Sequence, residues 1–476
     1  MRGGSQTRPY GWCVKAMGKR QCRSISAAQH QGNVTLHFIP GDPSNRVQAS
    51  DSILSGEDTV KRLSLISWAL FLPAMFICMN AAGEEGLPKV KWVNRGVGQY
   101  YVHPLVADFA YTPGLEILAM SGDDRMVKLI NPQGETIWTF NHFDKRQTAV
   151  PAAGDVDGDK EMEILIGSGD QSITCLGADG KVEWKNRLEG GIVWSGVAIA
   201  DLDGSGALTV VTGTDKGDVL AFDGRGHSLW TRPLGNGVSK PLLVADLNGD
   251  KGLELVALCD HRWHCLSGKG DVLWQRMGAQ AASSPIAADL DRDGLPEILL
   301  LTSDGQAICL EGKTGAARWA YRTAGGNITG GCGMALGDLD GDSSLEIVFA
   351  DDAGFVYFLN AKGEEIRAIR LEHAASGSAT IGDVDGDSEL EILCSGMDGI
   401  LRCLNFAGRT EWDYRTQRRL QVPPTLADID QDGTVEILLA TSDGNLVCLS
   451  CNGKYQPERL PWPSRLFDLG QTGWMR

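Results

Sequence analysis

The chain has 476 residues and a formal net charge of −17, with 44 Lys and Arg against 61 Asp and Glu. This balance argues against a nucleic-acid partner, because phosphate contacts require basic side chains. A hydrophobic content of 42% excludes a disordered chain. The length exceeds what one hydrophobic core usually serves, so we expect either several units or a repeat array that shares cores between neighbours.

Residues 1–60 show neither the repeat described below nor any hydrophobic periodicity. We expect this segment to be either unstructured or the product of a wrongly assigned start. Under the second hypothesis Val60 is the true initiator, because bacterial genes can begin at a valine codon.

Residues 61–82 have the three parts of a secretory signal peptide. Lys61 and Arg62 form a basic start, residues 63–79 form an apolar run, and Ala81 and Ala82 belong to a small-residue exit. We therefore expect an exported protein, which is secreted, periplasmic or attached to the cell surface. A retained signal anchor is the alternative, although the run is slightly short for a membrane span. The expected mature chain has no stable span.

An acidic motif, Asp-x-Asp-Gly-Asp-x-x-x-Glu in its clean form, recurs through the rest of the chain at intervals of 43 to 49 residues. Its eight occurrences, clean or degenerate, begin at Asp108, Asp155, Asp201, Asp246, Asp289, Asp338, Asp383 and Asp428. A sequence period near this length indicates a repeat architecture.

The second unit shows how one repeat divides into four strands. Residues 150–154 are small, the acidic loop follows, and residues 164–166 are continuously apolar, as expected of a strand buried on both faces. An alternating run at 172–176 and a strand at 181–184 complete the unit, with Gly and Asp turns between them. The pattern predicts an all-β fold, an eight-bladed β-propeller of four-stranded antiparallel blades over residues 86–460.

A tryptophan late in each repeat indicates how the ring closes. The position holds Trp92, Trp138, Trp184, Trp230, Trp274, Trp319, Arg367 and Trp412. The last loop has Pro457 where its own Trp should fall, whereas Trp92 has no loop before it. We therefore expect the N-terminal strand around Trp92 to close the last blade, which removes exposed sheet edges. The alternative is that residues 455–460 form this strand and Trp92 caps the fold. Residues 461–476 are expected to be a C-terminal tail.

Most of the cysteine pattern is explained by packing. Five of the 12 cysteines, Cys175, Cys265, Cys309, Cys403 and Cys448, share one repeat position, which other repeats fill with Lys128, Ala221 and Phe358. We expect buried free thiols at this position, because free cysteine behaves as a small apolar residue.

Six of the acidic loops offer oxygen ligands at alternate positions, a Gly at the turn and a closing carboxylate, as a calcium loop requires. The expected metal ligands are Asp155, Asp157, Asp159 and Glu163; Asp246, Asn248, Asp250 and Glu254; Asp289, Asp291, Asp293 and Glu297; Asp338, Asp340, Asp342 and Glu346; Asp383, Asp385, Asp387 and Glu391; and Asp428, Asp430, Asp432 and Glu436. Structural Ca²⁺ is the expected cofactor, in up to six loops. Magnesium is disfavoured, because it seldom uses all-protein cages.

The other two loops have lost ligands and are not expected to hold calcium well. The loop at Asp108 has Ala110 and Thr112 at ligand positions, and the loop at Asp201 ends in Thr209 instead of a carboxylate. An alternative for all eight is that they are turns whose Asp side chains cap their own backbone. Four acidic groups within nine residues would however repel each other without a cation.

These loops resemble FG-GAP or VCBS repeats, the calcium-bearing blades of integrin α-subunit heads and of many bacterial secreted proteins. The later half of each unit, such as residues 309–319 ending in Trp319, resembles the tryptophan-docking repeat of PQQ-type propellers. The resemblance covers roughly residues 86–460. It implies an exported eight-bladed propeller with structural calcium, and it implies no particular activity.

The sequence favours a non-catalytic binding or scaffold module, expected to be a monomer, with a protein or polysaccharide ligand. Whether the chain is an enzyme stays open, with a non-enzyme favoured. A polysaccharide lyase is the enzymatic alternative, because the segment His261-Arg262-Trp263-His264 places an aromatic ring between basic groups at a predicted turn. A PQQ-type quinoprotein is a weaker alternative, because no two cysteines are adjacent.

Overall fold

The computed structural model describes residues 87–96, 98–123, 125–141, 149–189, 191–329, 333–373, 378–464 and 475, together with the backbone of residues 27–30 and 33–36. The chain divides into two compact units, Met1–Ala82 and Gly83–Arg476. In the first unit, β1 (Ala27–His30) and β2 (Asn33–Leu36) form an antiparallel hairpin. The signal segment expected at residues 61–82 lies outside the described residues.

Over its described residues, the second unit consists of eight four-stranded antiparallel sheets, the blades. Blade 1 comprises β4 (Leu105–Ala107), β5 (Glu116–Ser121), β6 (Met126–Ile130) and β7 (Thr136–Phe140). Blade 2 comprises β8 (Ala152–Gly154), β9 (Glu163–Ser168), β10 (Ser172–Leu176) and β11 (Val182–Arg187). Blade 3 comprises β12 (Val197–Ala200), β13 (Thr209–Gly213), β14 (Asp218–Phe222) and β15 (Ser228–Pro233). Blade 4 comprises β16 (Leu243–Ala245), β17 (Glu254–Cys259), β18 (Arg262–Leu266) and β19 (Val272–Met277).

The remaining blades repeat this order of strands. Blade 5 comprises β20 (Ile286–Ala288), β21 (Glu297–Thr302), β22 (Gln306–Glu311) and β23 (Ala317–Arg322). Blade 6 comprises β24 (Ala335–Gly337), β25 (Glu346–Ala350), β26 (Phe355–Leu359) and β27 (Glu365–Arg370). Blade 7 comprises β28 (Thr380–Gly382), β29 (Glu391–Ser395), β30 (Ile400–Leu404) and β31 (Thr410–Arg415). Blade 8 comprises β32 (Thr425–Ala427), β33 (Thr434–Ala440), β34 (Leu446–Lys454) and β3 (Lys89–Asn94).

Burial follows the position of a strand within its blade. The second strand, such as β9, is buried along its whole length, which explains its continuous apolar sequence. The first strands have three or four residues and are mostly small, as the limited room near the axis requires. The fourth strand, such as β11, alternates between exposed and half-buried residues because it lies at the rim. The predicted all-β, eight-bladed fold is confirmed.

The ring closes through a strand from the N-terminal side of the propeller. β3 pairs antiparallel with β34, so blade 8 has the composition that the tryptophan spacing predicts. Residues 457–459 form a short 3-10 helix, not the alternative closing strand. Blade 8 also contacts blade 1 directly, because the backbone N–H of Leu115 donates to the carbonyl of Ile429 at 2.7 Å.

The tryptophans lie on the fourth strands and dock on the following blade. Trp92 Nε1 donates to the carbonyl of Pro132 at 2.8 Å, and its ring faces Gly134, where an added Cβ would lie 2.5 Å from the indole. Gly134 also has a φ of +84°, which an L side chain rarely adopts. The same Nε1–H bond joins Trp138 to Ala178, Trp184 to Gly224, Trp230 to Gly268, Trp274 to Gly312 and Trp319 to Ala361. In blade 6 Arg367 takes this place and lies over the ring of Phe406, 4.5 Å from its centroid.

The five repeated cysteines are buried free thiols, as expected. Each pairs in register with a tryptophan of the fourth strand, as Cys175 pairs with Trp184. In blade 1 this register places Leu129 at the position, not Lys128 as the sequence comparison suggested, because Leu129 pairs with Trp138.

The C-terminal segment lies against the innermost strands. Trp462 forms a bridge with Ile381 of β28 and is fully buried, and Leu426 of β32 donates its N–H to the carbonyl of Pro463 at 2.9 Å. Farther along, Met475 donates its N–H to the carbonyl of Ala287 in β20. The described residues of the segment expected to be a tail therefore bond to the innermost strands of blades 5, 7 and 8. In the described part of the chain, no helix is both long and apolar enough to cross a membrane.

Candidate metal centres

The acidic loops connect the first and second strands of each blade. Because successive strands of a blade are antiparallel, these loops and the turns between the third and fourth strands lie at the same end of the sheets. We call this end the loop face. It presents all eight acidic loops in a ring.

The backbone of each loop is held by its own carboxylates. In blade 2 the two oxygens of Asp155 accept N–H groups from Gly158 at 2.8 Å and Lys160 at 3.0 Å. Glu163 Oε2 accepts the N–H of Val156 at 2.8 Å. The closing Glu makes this bond in the other intact loops as well, where Glu254, Glu297, Glu346, Glu391 and Glu436 accept from Leu247, Leu290, Leu339, Val384 and Ile429. One oxygen of each closing Glu is thereby fixed, and the other is left for the loop.

Five loops bring three carboxylates to one point. In each, the first, third and ninth positions offer oxygens that all lie within 4.8 Å of one another: Asp155, Asp157 and Glu163; Asp289, Asp291 and Glu297; Asp338, Asp340 and Glu346; Asp383, Asp385 and Glu391; Asp428, Asp430 and Glu436. Calcium ligands lie about 2.3–2.6 Å from the ion, so oxygens on one ion are separated by up to about 5 Å. The spacing fits a shared calcium ion.

The fifth loop position does not join these groups. Its carboxylate instead accepts the N–H of the residue two positions later, as Asp159 does from Glu161 at 2.8 Å. Asp250, Asp293, Asp342, Asp387 and Asp432 make the equivalent bond. Asp155 and Asp157 of the first and third positions also accept backbone N–H groups, so backbone capping occurs at all three Asp positions. What distinguishes the first, third and ninth positions is that their oxygens also converge on one point, which makes them the candidate centres.

Burial makes the charge of the closing Glu unfavourable. It raises the pKa of Glu163, Glu254 and Glu346 to about 7 and that of Glu391 to about 8, with nearby aspartates adding to the effect. A buried carboxylate among other carboxylates requires a proton or a cation. In the described residues, no hydrogen bond reaches the second oxygen of Glu163, Glu346 or Glu391.

A lysine occupies the centre of the blade 8 loop. Lys91 Nζ lies 2.6 Å from Asp430 Oδ2, 2.9 Å from Glu436 Oε1 and 3.6 Å from Asp432 Oδ2. Burial opposes the charge of Lys91, but the bonds to Asp430 and Glu436 outweigh it and raise the lysine pKa. Glu436 is fully buried, and burial raises its pKa although the bond from Lys91 acts in the opposite direction.

An arginine has the same place in the blade 5 loop. The Arg318 guanidinium donates through Nη2 to Asp291 and through Nη1 to Glu297. The bond to Asp291 is the main reason that the pKa of Arg318 is raised. Both Lys91 and Arg318 thus contact the third- and ninth-position carboxylates of their loops, and neither was recognised as a site residue from the sequence.

The loops of blades 1, 3 and 4 differ from these. In blades 1 and 4 a neutral donor bonds to the closing Glu, and blade 3 lacks the closing Glu. In blade 4 Asn248 Nδ2 donates to Glu254 Oε1 at 2.7 Å, so the amide presents its hydrogens toward the carboxylate. In blade 1 Thr112 donates both its N–H and its hydroxyl to Glu116 Oε1. In blade 3 Thr209 replaces the closing Glu, which leaves no buried carboxylate there.

The basic side chains that reach the loops of blades 8 and 5 come from a β-bulge in the fourth strand. The residue just before the Trp position is skipped in the pairing register of every blade, and we call it the bulge residue. The bulge residues are Lys91, Ile137, Glu183, Leu229, Leu273, Arg318, Ile366 and Glu411. A bulge re-aims the side chain of its extra residue, which explains how a rim strand supplies a group to a loop.

Two bulge residues are acidic and lie near intact loops. Glu183 interacts electrostatically with Glu163 and Asp157, and Glu411 with Glu391 and Asp385. Burial and these like charges raise the pKa of both Glu183 and Glu411. The loops of blades 2 and 7 therefore carry a fourth nearby carboxylate. The sequence does contain a signal for these residues, because each directly precedes the tryptophan position. That position lies outside the loop motif from which the candidate ligands were predicted.

The segment proposed for a lyase site does not form a binding groove. Trp263 is fully buried and His264 is 97% buried, whereas His261 and Arg262 are exposed. Burial, followed by the charge of Arg262, lowers the pKa of His264. The aromatic ring is unavailable for stacking on a sugar, so the structure gives no support to the lyase alternative.

A cleft of about 950 Å³ opens on the loop face between blades 6 and 7. Its walls include Asp340, Glu389, Phe406, Glu458 and Arg459. The cleft combines acidic loop residues with an aromatic side chain and one guanidinium.

Two family models match parts of the chain. The FG-GAP-like repeat model matches residues 289–349, which run from the acidic loop of blade 5 to the second strand of blade 6. The model described as outer membrane protein assembly factor BamB, a PQQ-type repeat model, matches residues 123–240. The protein is thus an eight-bladed propeller of FG-GAP-like and PQQ-like repeats. No curated protein sequence matched the chain.

Solved structures confirm the propeller architecture. BamB from Moraxella catarrhalis is 18% identical with a TM-score of 0.52, over 76% of this chain and 100% of that chain. Sqt1 from Saccharomyces cerevisiae is 12% identical with a TM-score of 0.58, over 75% of this chain and 97% of that chain. The computationally designed Ika8 protein is 14% identical with a TM-score of 0.54, over 74% of this chain and 100% of that chain. At these identities the likeness concerns the fold.

Proposed function

We propose that this protein is an exported, calcium-stabilised propeller that acts as a non-catalytic binding or scaffold module. The observation that carries the calcium part is the set of three loops, in blades 2, 6 and 7, whose buried closing Glu bonds to a backbone N–H but, among the described residues, to no basic or amide side chain. In these loops a divalent cation would neutralise carboxylates that burial otherwise makes costly.

The donor set fits calcium better than other metals. Carboxylate oxygens are hard ligands, and the candidate centres contain neither His nor Cys, which zinc prefers. The residues that would hold the ion are Asp155, Asp157 and Glu163 in blade 2; Asp338, Asp340 and Glu346 in blade 6; and Asp383, Asp385 and Glu391 in blade 7. The ion would join the start of each loop to the start of the second strand.

Chelation tests the calcium proposal. Purified protein is melted with excess EDTA, with calcium, and with magnesium at the same ionic strength. We expect calcium alone to raise the melting temperature, because a ligand that binds only the folded state stabilises it by mass action. Equal melting curves in EDTA and calcium would refute the calcium proposal.

The cleft between blades 6 and 7 is the surface that we propose for ligand binding, because it is concave and combines charged groups with Phe406. Glu389 and Glu458 are exposed there, so Lys at both positions should reverse the local charge without unfolding the protein. A glycan array and capture of proteins from the native host, each with the double variant as control, test this proposal. If the wild type and the double variant bound a ligand equally well, the cleft would be excluded as its binding site.

Export is supported by the signal-like segment at residues 61–82. The partial match to a model described as an outer membrane protein assembly factor favours a location in the cell envelope. Fractionation of the native host, with N-terminal sequencing of the exported form, tests this. Recovery of the uncleaved chain in the cytosol would contradict it.

A further inference from the structure

We infer that, in the five loops with Asp at the first and third positions and Glu at the ninth, the bulge residue decides whether the loop takes a metal ion, and that Lys91 and Arg318 replace the ion in blades 8 and 5. This inference rests on the calcium part of the proposed function. It concerns residues outside the loop motif, which contact the loops only in the folded protein.

The first argument is positional. Lys91 and Arg318 are bulge residues of different blades, and each contacts the third- and ninth-position carboxylates of its loop. These are the carboxylates that group with the first-position Asp in blades 2, 6 and 7. Two basic side chains of different length and geometry thus bring a positive charge to the same point of the repeat.

The second argument is one of charge. Each of these loops has an Asp at the first and third positions and a Glu at the ninth, with that Glu at most 4% exposed. An ammonium or guanidinium group supplies one positive charge and charge-assisted hydrogen bonds, so the loop needs no second cation. Adding Ca²⁺ beside Lys91 would place two cations within a few Å and would cost the lysine its partners.

The third argument is the contrast with the other bulge residues. Blades 2 and 7 have Glu183 and Glu411 at the bulge, which add negative charge to loops without an internal cation. Blade 6 has Ile366, which adds none. Because calcium affinity depends on ligand charge, blades 2 and 7 should bind more tightly than blade 6.

Calcium stoichiometry provides the test. Equilibrium dialysis against calcium at increasing concentration is performed on the wild-type chain, Lys91→Met, Arg318→Met and the double variant. We expect three ions for the wild type, four for each single variant and five for the double variant. Lys89→Met and Arg322→Met, which alter basic residues of the same strands outside the loops, should keep three.

A reverse substitution covers the case in which Lys91→Met does not fold. Ile366 is 38% exposed at the blade 6 bulge, so Ile366→Lys should fold and bring an ammonium group to the blade 6 loop. We expect this variant to bind two ions. Unchanged stoichiometry in folded Lys91→Met and Arg318→Met, or in Ile366→Lys when Lys91→Met does not fold, would overturn the inference.

The two proposals fail in different ways. If the wild type binds three ions and Lys91→Met binds no additional ion, the calcium proposal is retained and the inference about the bulge residues is overturned. If the wild type binds no ion and Lys91→Met binds one, calcium binding at blades 2, 6 and 7 is overturned, whereas replacement of the ion by Lys91 is supported. No ion in either protein overturns both.

Discussion

Blades 2 and 8 contain the same acidic loop but place opposite charges beside it. In blade 8 Lys91 bonds to Asp430 and Glu436, whereas in blade 2 the equivalent bulge residue is Glu183 and the second oxygen of Glu163 faces other carboxylates. The comparison shows that loops with the same acidic motif can have different charges beside them. The residue that makes the difference lies on the fourth strand, outside the motif.

The source of the blade 8 cation also matters. Lys91 is on β3, and it reaches Glu436 across 345 residues of sequence. The same ion pair that neutralises the loop therefore fastens the closing strand to the last blade. In blade 2 the bulge residue and the loop belong to one repeat, so the charge that Glu183 adds to the loop is local.

The largest expected effect comes from Lys91→Met measured in excess EDTA. Removing one partner of a fully buried ion pair costs about 3–5 kcal/mol. Lys91 is part-buried, so we expect a loss of about 3 kcal/mol, because buried Glu436 is left without a counter-charge. Urea denaturation gives the change in free energy of unfolding. We expect calcium to restore part of the loss, because the ion would take the vacated place.

Lys89→Met is the matched control for this experiment, since Lys89 lies on the same strand and is exposed. It should change stability by less than about 0.5 kcal/mol. A Lys91→Met protein as stable as the control in EDTA would show that the ion pair does not hold the closing strand.

Glu391→Gln and Glu436→Gln should separate the two kinds of loop. Without its closing carboxylate, blade 7 should lose its ion and about 2.7 kcal/mol of stability at calcium 100-fold above Kd, and little in EDTA. Glu436→Gln should cost about the same with and without calcium, because Lys91 loses a partner in both cases.

Urea denaturation of both variants in calcium and in EDTA provides this comparison. If Glu436→Gln showed the stronger calcium dependence, the assignment of the two loops would be wrong. Gln keeps an acceptor for the N–H of Val384 or Ile429, so the backbone of each loop should stay intact.

Glu183→Lys would convert the blade 2 loop to the blade 8 arrangement. We expect a gain of about 1.5 kcal/mol in EDTA, because a charged hydrogen bond forms with Asp157 and Glu163, together with loss of one bound calcium ion. Thermal melting with and without calcium measures both effects. Glu183→Gln is the control, because it removes the negative charge without supplying a positive one. If the Gln variant were more stable in EDTA than the Lys variant, the proposed replacement of calcium by an ammonium group would be contradicted.

The smallest expected effect is that of Trp184→Phe. The variant loses the bond from Nε1 to the carbonyl of Gly224, which is 2.9 Å long, at a cost of about 1 kcal/mol. The loss should be equal in calcium and in EDTA, because docking between blades is independent of the loops. A calcium-dependent loss, seen by urea denaturation, would mean that docking and metal binding are coupled.

The amino-acid sequence by itself determined the blade count, the closing strand and the ligand spacing, because each is a local pattern repeated at a fixed period. Trp92 without a loop and Asp428 without a tryptophan were enough to predict blade 8. The closing Glu and the first and third Asp could be placed together, because they lie within nine residues of chain.

Only the tertiary structure decided which loops have an internal counter-charge. Arg318 lies 21 residues beyond Glu297, and Lys91 lies 345 residues from Glu436. Both reach their loops through a bulge whose register depends on the neighbouring strand. Sequence spacing determines ligands within a loop, whereas a side chain from another strand meets the loop only after the blade has formed.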